Sequence, residues 1–587
     1  MMQLGVIGAS RTPLSQDGLV AALREQMGDQ APVVEAPPPR GMQFGVHLAA
    51  LALFTLLTVT RALPIVLHPA HAVTPDPIDP VFNSWDLAST AHSVLSWQHG
   101  LWSFFDGNSY YPTPHPASYI DAAVGMLPFS LPLYLLLHDP ILVLNVLTGL
   151  SFILSAYGAF VLGHRLTHSY AAALMAGLSF GFCPYRTEHL GHINLLSTEW
   201  LIAAAIALVH AWDDMRRRWW VGAGFLLGLS AVTNLYYLAY LTGPLLVVAM
   251  VRYRDWTTRR LQGALLASAI AACLVVPFMM PYLLRHADIG AAYGTAASTD
   301  ILSFLQILPG RPLDDPLLPT VPLEMMQPNH GFFPGIVPLV LVVIAVRRRK
   351  AIPWLIFAAA CAVLALGPRL DIHGRELPIP LPYAALSAYV PHFNLFRDPT
   401  RAIMGASLGF AIAAAYGMAE LLRMQGQRGR RVALGCILLS VSALELWSPV
   451  PTQPIPAIAA GEYWLARQPG IRVVLELPVA NAAPVDWARQ SEILYDSTLH
   501  WKLLINGTGS AQPAGLARTQ AILSSYPSRQ ALAQLHRLRV DVVVLRLAWM
   551  TPQQREAAQR ACHTIYRDAQ EQMCLVAGSQ SGPPSRR

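Results

Sequence analysis

The sequence predicts an α-helical polytopic membrane protein of about eleven transmembrane helices, followed by a small extracytoplasmic α/β domain. Three observations predict it. Hydrophobic residues make up 54% of the chain and charged residues only 13%, roughly half the ~25% charged content of a soluble protein. The apolar residues come in long runs, as a hydrocarbon layer about 30 Å thick demands of helices that cross it. The basic residues sit in short clusters between those runs, the pattern that orients membrane proteins. The formal charge of +7 is therefore a signature of membrane orientation and not of a nucleic-acid partner.

Residues 1–43 contain Pro37, Pro38, Pro39 and Arg40 with scattered charges and no signal-peptide pattern, so they are expected to form a flexible cytoplasmic tail. Apolar runs long enough to span then lie near 44–67, 140–163, 170–183, 197–212, 219–233, 236–251, 262–284, 333–346, 351–367, 401–422 and 432–448. A twelfth run, 122–137, is short and broken by Pro128 and Pro132. Charge decides its status. If it does not cross, the loops around Arg165, 216–218, 252–260, 347–350 and 423–431 share a face and hold 16 Lys/Arg, against seven in the much longer opposite loops. If it crosses, all 16 lie outside, against the positive-inside rule. The run 122–137 is thus expected to be a re-entrant or interfacial helix, tolerable where protein covers it. The membrane domain is 44–450, the extracytoplasmic domain 451–577, and 578–587 a disordered end.

The outer face then collects the chemistry. The first outer loop, 68–121, has no Lys or Arg but carries five His and five Asp. Within it, 82–102 has the pattern of an amphipathic helix lying on the membrane, anchored by Trp85, Trp97 and Trp102. Asp79 precedes that helix and Asp86 lies within it. A carboxylate at the membrane mouth suits a general base acting on a hydroxyl, while Asp-Pro also starts turns and helices. The second outer loop holds Glu188, His189, His192 and Glu199. The spacing is not HExxH, which excludes the zinc-protease pattern, and leaves a polar cavity lining or a divalent-metal site. Arg397 and Arg401, one turn apart at the outer end of a span, suit a phosphate clamp, or else snorkelling with an Arg397–Asp398 pair. Arg285 is a weaker candidate of the same kind. In the last domain, 473–477 and 540–545 read as buried strands, with helical stretches near 456–468, 513–536 and 551–564 and no GxGxxG fingerprint. The six cysteines show no metal-ligand spacing. Cys183, Cys273, Cys361 and Cys436 fall in apolar runs, whereas Cys562 and Cys574 can pair if their domain is extracytoplasmic.

Five segments carry a resemblance: Asp79-Pro-Val-Phe-Asn83-Ser-Trp85; Phe182-Cys-Pro-Tyr185-Arg186 with His189 and His192; Gly331-Phe-Phe-Pro-Gly335; Phe396-Arg397-Asp-Pro-Thr-Arg401; and Ser497-Thr-Leu-His500-Trp with Asn506-Gly507. In this order, from about residue 44 to 575, the chain resembles the GT-C membrane glycosyltransferases, and bacterial GT-C-like polytopic membrane proteins most of all. The resemblance implies a multi-pass protein of the plasma (inner) membrane that moves a sugar from a polyprenyl-phosphate carrier to a lipid or glycan acceptor outside. It implies Asp79, or next Asp86, as the base, Glu188 or Glu199 as a second acidic position, and Arg397 or Arg401 on the lipid phosphate. No cofactor is firmly implied. One departure stands out: some GT-C families carry adjacent acidic residues in the first loop, and here Asp79 is followed by Pro80. The alternatives are a transporter, a lipid-handling protein or an envelope scaffold with the same fold. A transporter would place ionisable groups inside its spans, where this chain has His210 near an end and the uncharged Asn145 and Asn234.

Overall fold

The computed structural model describes residues 40–76, 78–285, 298–307, 331–396, 398–455, 457–479, 484–509 and 511–576. The expected N-terminal tail up to residue 39, the expected disordered end 578–587 and the candidate Arg397 fall outside the described residues. The chain divides into two units, Met1–Ala49 and Ala50–Arg587. The first contributes the opening turns of helix α1 (Arg40–Arg61), and everything below belongs to the second.

After α1, Pro64 opens a short α2 (Leu63–Leu67), followed by β1 (Ala72–Val73), α3 (Asp79–Ser96) and α4 (Leu127–Leu137). Next come α5 (Pro140–Thr167), capped by Asp139, and α6 (Tyr170–Gly181), capped by Ser169; each cap accepts an otherwise orphaned helix N–H. Short α7 (Pro184–Glu188) and α8 (Ile193–Leu196) form the loop read above as the second outer one. Then follow α9 (Glu199–Asp214), α10 (Arg217–Thr233), α11 (Leu235–Val251) and α12 (Thr258–Leu284). Helices α13 (Ile336–Ala345) and α14 (Ile352–Ala365) precede a hairpin of β2 (Arg369–Ile372) and β3 (Arg375–Pro380). The membrane part closes with α15 (Pro382–Tyr389), α16 (Ile403–Arg423) and α17 (Arg428–Leu446).

Helices occupy all eleven apolar runs. Among the described residues, five are long and apolar enough to cross a membrane: Gln43–Arg61, Pro140–Thr167, Ile193–Asp214, Thr258–Leu284 and Pro399–Arg423. The chain is an integral membrane protein. In the last of these the apolar window is 83% buried, so α16 is the helix the others surround. It packs on α6, α13 and α14, and small residues let the backbones meet. A Cβ at Gly417 would lie 1.8 Å from the Leu341 carbonyl oxygen.

The first-loop helix differs from expectation. It begins at Asp79, ends at Ser96, and is buried on its polar side as well, including Ser84, Asp86, Ser89 and Ser93. It is therefore no surface-lying amphipathic helix. Its polar side finds protein partners: Trp85 donates to Asn108 Oδ1 at 3.0 Å, and Asn108 Nδ2 donates to Ser497 Oγ at 2.9 Å. Of the three expected tryptophan anchors Trp85 is buried, while Trp97 and Trp102, beyond the helix end, are exposed.

The cover is the last part of the chain. It holds β4 (Gln453–Pro454), α18 (Ala460–Ala466), β5 (Val473–Leu477), α19 (Pro484–Asp496) and β6 (Leu503–Leu504). After them come α20 (Leu516–Leu523), α21 (Arg529–Arg537), β7 (Val542–Arg546), α22 (Pro552–Ala561), β8 (His563–Arg567) and β9 (Glu571–Leu575). The five-stranded sheet has the order β6-β5-β7-β9-β8, with β5 parallel to β6 and β7. Strands β5 and β7 are buried throughout, as strands covered on both faces are. One face packs under Leu523, Leu535 and Ala558; the other shares a core with Trp85, Phe105 and Ile120 of the first loop. Strand β1 pairs with β4, and a disulfide joins Cys562 to Cys574.

Candidate active site

Asp76 begins the site. Its Oδ1 accepts the backbone N–H groups of Ile78 at 2.8 Å and Asp79 at 3.0 Å, which fixes the start of α3 against Asp76. That start aims Asp79 at the α7–α8 loop, where His192 Nε2 lies 3.0 Å from Asp79 Oδ2. The two loops meet closely at Gly191, where a Cβ would lie 3.3 Å from that of Asp76 and 3.5 Å from that of Asp79, a snug contact. Asn83, one turn into α3, donates to the Gly191 carbonyl at 2.8 Å and locks the contact. Asp79 and His192 keep 31% and 35% of their side-chain surface, so the pair is open to a reactant.

Burial pushes the Asp79 carboxyl up, but the hydrogen bond and charge of His192, with help from Asp76 and Arg401, hold it below its ordinary value. Burial lowers His192, and Asp79 more than offsets this, so the imidazole is raised. His189 behaves differently: burial and the neighbouring His192 charge drive it down. Its Nδ1–H donates to the Tyr185 carbonyl at 2.8 Å and its ring stacks on Tyr185. Among the described residues no third ligand joins Asp79 and His192 at metal-binding distance.

Arg401 faces this pair from the start of the central helix. Its guanidinium lies 3.7 Å from the centre of the Tyr236 ring and its Nε 3.3 Å from Asp398 Oδ2. Its Nη1 is buried with no hydrogen-bond partner among the described residues, which leaves a cationic donor for an anion. The charge of Arg401 reaches Asp79, His192 and His189. The second half of the expected clamp, Arg397, lies outside the described residues. Arg285 is placed elsewhere, against the Pro114 carbonyl and the Tyr119 ring, and braces the first loop.

The remaining candidates separate. Asp86 lies two turns along α3, buried, with Oδ2 accepting the Ala123 N–H at 3.0 Å. Burial and the neighbouring Asp121 push its carboxyl up to about 8. It positions the segment before α4. Glu188 accepts from the Gly331 N–H. Glu199, at the start of α9, lies within electrostatic reach of Arg186. Arg186 is fully buried, donating to the Leu196 carbonyl at 2.8 Å and to Thr198 Oγ1 at 2.9 Å. Of the four second-loop candidates, then, His192 pairs with Asp79 and His189 lies beside it, while Glu188 binds the Gly331 N–H and Glu199 lies within electrostatic reach of Arg186.

Sequence reasoning did not single out Asp121. It lines a small cleft with Phe105, Asn194, Asn234 and Tyr282 and lies within electrostatic reach of both Arg401 and Asp86. Its signal was its place, the last acidic residue before the Pro-broken run. A second, apolar cavity of about 390 Å³ lies among Thr58, Ile65, Thr74, Leu142, Ile153 and Leu190, one residue from Gly191.

A family model described as a domain of unknown function, DUF6311, matches residues 57–446. No curated protein matches the chain. Among solved structures, apo ArnT from Cupriavidus metallidurans is similar with a TM-score of 0.51 at 14% identity, over 93% of this chain and 100% of that one. Arabinofuranosyltransferase AftD from Mycobacteria gives 0.51 at 12% identity, over 91% of this chain and 42% of that longer one. Both are GT-C superfamily glycosyltransferases, and the chain shares their fold.

Proposed function

Because this chain belongs to the DUF6311 family and has the GT-C fold, we propose that it transfers a sugar from a polyprenyl-phosphate carrier to an acceptor hydroxyl on the extracytoplasmic face. The observation that carries this is the open Asp79–His192 pair within electrostatic reach of Arg401, whose Nη1 has no hydrogen-bond partner among the described residues. The acceptor oxygen attacks the anomeric carbon with inversion, and its proton passes to the Asp79 carboxylate. The carbon–oxygen bond to the carrier breaks, its electron pair leaving on the polyprenyl phosphate. Arg401, with Arg397 beside it in sequence, stabilises the departing phosphate, a charge-stabilising role of the kind that dominates many such steps. The apolar cavity beside Leu190 suits the carrier's hydrocarbon chain. A lipid or glycan supplies the hydroxyl.

The same proposal includes the topology: eleven crossings, a cytoplasmic N-terminus, and the sheet-bearing end outside as an extracytoplasmic α/β domain. The charge asymmetry of the loops supports it, and the Cys562–Cys574 disulfide suits an oxidising compartment. The test uses membranes containing the protein and a panel of labelled polyprenyl-phospho-sugars. Asp79→Asn is expected to lower transfer by about 10²–10⁴-fold, the usual contribution of a positioned acid–base group. Transfer by the variant at the wild-type rate removes Asp79 from the mechanism.

A further inference from the structure

Away from Asp79, three more side chains of the first loop converge. His99 Nδ1 lies 2.7 Å from Asp106 Oδ2, and His115 Nδ1 lies 2.8 Å from Asp106 Oδ1. All three ligand atoms fall within 4.8 Å of one another. The geometry points to a divalent-cation site of the zinc class, with His99, Asp106 and His115 as ligands and water completing the shell.

The donor set selects the class. Two imidazoles and one carboxylate suit zinc and its neighbours, whereas calcium and magnesium take oxygen ligands. Tetrahedral zinc, about 2.0–2.1 Å from each nitrogen, spaces its ligand atoms about 3.3 Å apart. The side chains therefore need only small shifts, and His99, 56% exposed, is free to make them. Each ring now directs Nδ1 at the carboxylate; on metal binding the proton of a neutral ring moves to Nε2, and both Nδ1 atoms become ligands.

The ligands are held from behind. The Asp106 carbonyl accepts from Ser93 Oγ of α3 at 3.1 Å, the His99 N–H donates to Ser103 Oγ at 2.9 Å, and the Trp102 ring lies 4.9 Å from that of His115. Such outer contacts orient metal ligands and tune affinity. The position also gives the metal a task. Between His99 and His115, Phe104 and Phe105 pack on Phe278 of α12. Tyr110 and Tyr111 donate their N–H groups to the carbonyls of Asn506 and Leu504 at 2.9 and 2.8 Å. A cation joining the two ends of this segment clamps the loop that ties the membrane helices to the sheet. This role is independent of sugar transfer.

The test is zinc binding by the full chain, purified in detergent, stripped with chelator, and titrated with zinc chloride by calorimetry. Metal content is read by mass spectrometry after desalting. The wild type is expected to hold one zinc, His192→Gln to bind as the wild type does, and the double variant His99→Gln/His115→Gln to bind at least about tenfold more weakly, since even outer-shell losses reach that size. Zinc should also slow hydrogen exchange across 99–115 in the wild type and not in the double variant. His99→Gln alone, at an exposed position that tolerates change, should weaken binding in the same direction. A wild type that holds no zinc overturns the site, as does zinc affinity unchanged in the double variant or in His99→Gln. Loss of zinc in His192→Gln would assign the metal to Asp79 instead, and equally overturns it.

Discussion

At the scale of single residues, a carboxylate held below its ordinary value is a weak base. Asp79 therefore serves an acceptor hydroxyl as a fixed negative charge and hydrogen-bond acceptor, taking the proton late, as the bond to the sugar forms. His192 sets that behaviour, and the pair has a defined pH window. His192 is raised above its ordinary 6.5, so the folded state binds its proton more tightly and the stability this lends is full below pH 6.5. It is lost as pH rises through the raised folded value. Asp79 is lowered from 3.8, so its share is present above that value and lost as pH falls through the lowered one. Thermal unfolding of the purified protein should show a decline on the alkaline side that His192→Gln makes shallower, the buried carboxyls Asp86, Glu476 and Glu571 supplying the rest. A decline of the same size in the variant would remove His192 from this account. Asp79 was legible in the sequence as an acidic residue at the mouth of a loop without cations. The sequence also offered His192 as a candidate of the second loop, but not the pairing, because the two meet only where the loops come together beside Gly191. Arg401 stood out by its place at a span's outer end, whereas the Tyr236 ring beneath it comes from a different helix.

At the scale of elements, periodicity located the apolar helices and strands β5 and β7, but it missed α19 and the buried β9, and it missed what a buried strand can carry. Strand β5 contains Glu476, fully buried, and its neighbour β7 ends in Arg546. Around that guanidinium stand Glu462, Glu476, Asp496 and Glu571, each within 3.1 Å. One cation cannot balance four carboxylates, and burial is the larger influence. It drives Glu476 up to about 8 and Glu571 up to about 9, neighbouring carboxylates adding to the effect. These raised groups bind protons more tightly in the folded state, so between 4.5 and these values their contribution falls as pH rises. Hydrogen exchange in β5 and β7 of the full chain, corrected for intrinsic rates, should therefore reveal weaker protection at pH 9 than at pH 6. Glu476→Gln should remove part of that slope, and a slope unaltered by the substitution would contradict the account. Arg546→Met should lower the stability of the sheet by about 3–5 kcal/mol, because it strands buried carboxyl groups. Charges this far apart in sequence meet only once the sheet has formed, which is why the strand pattern alone could not announce them. The tail segments that carried the family resemblance have the same explanation. Ser497 receives Asn108, and a Cβ on Gly507 would lie 2.6 Å from the Tyr110 ring, so those motifs mark where the end of the chain docks on the first loop.

At the scale of the whole molecule, everything turns on one segment. A further crossing at 122–137 would move every following loop to the other face and bring the basic clusters outside with the second outer loop inside. Helix length is a poor judge. Val124–Leu137 is shorter than the bilayer core, at about 1.5 Å per residue, but Ile336–Ala345 is shorter still. The Asp86 contact to the Ala123 N–H is more telling, because it ties the start of this segment to the first-loop helix and keeps its entrance on that helix's side. The decisive measurement is trypsin added to intact right-side-out spheroplasts. With eleven crossings, the arginines of the sheet-bearing end, such as Arg518, Arg529 and Arg560, face the protease, while Arg347, Arg348, Arg349 and Lys350 stay protected until the membrane is opened. Non-reducing mass spectrometry of the released material should recover the Cys562–Cys574 peptide as a linked pair, as a compartment that preserves disulfides requires. Cleavage at 347–350 from outside, with the sheet-bearing end protected, would reverse the orientation of this part of the chain. It would also strip the transfer proposal of its shared outer face, since His192 and Arg401 could then no longer meet an acceptor there.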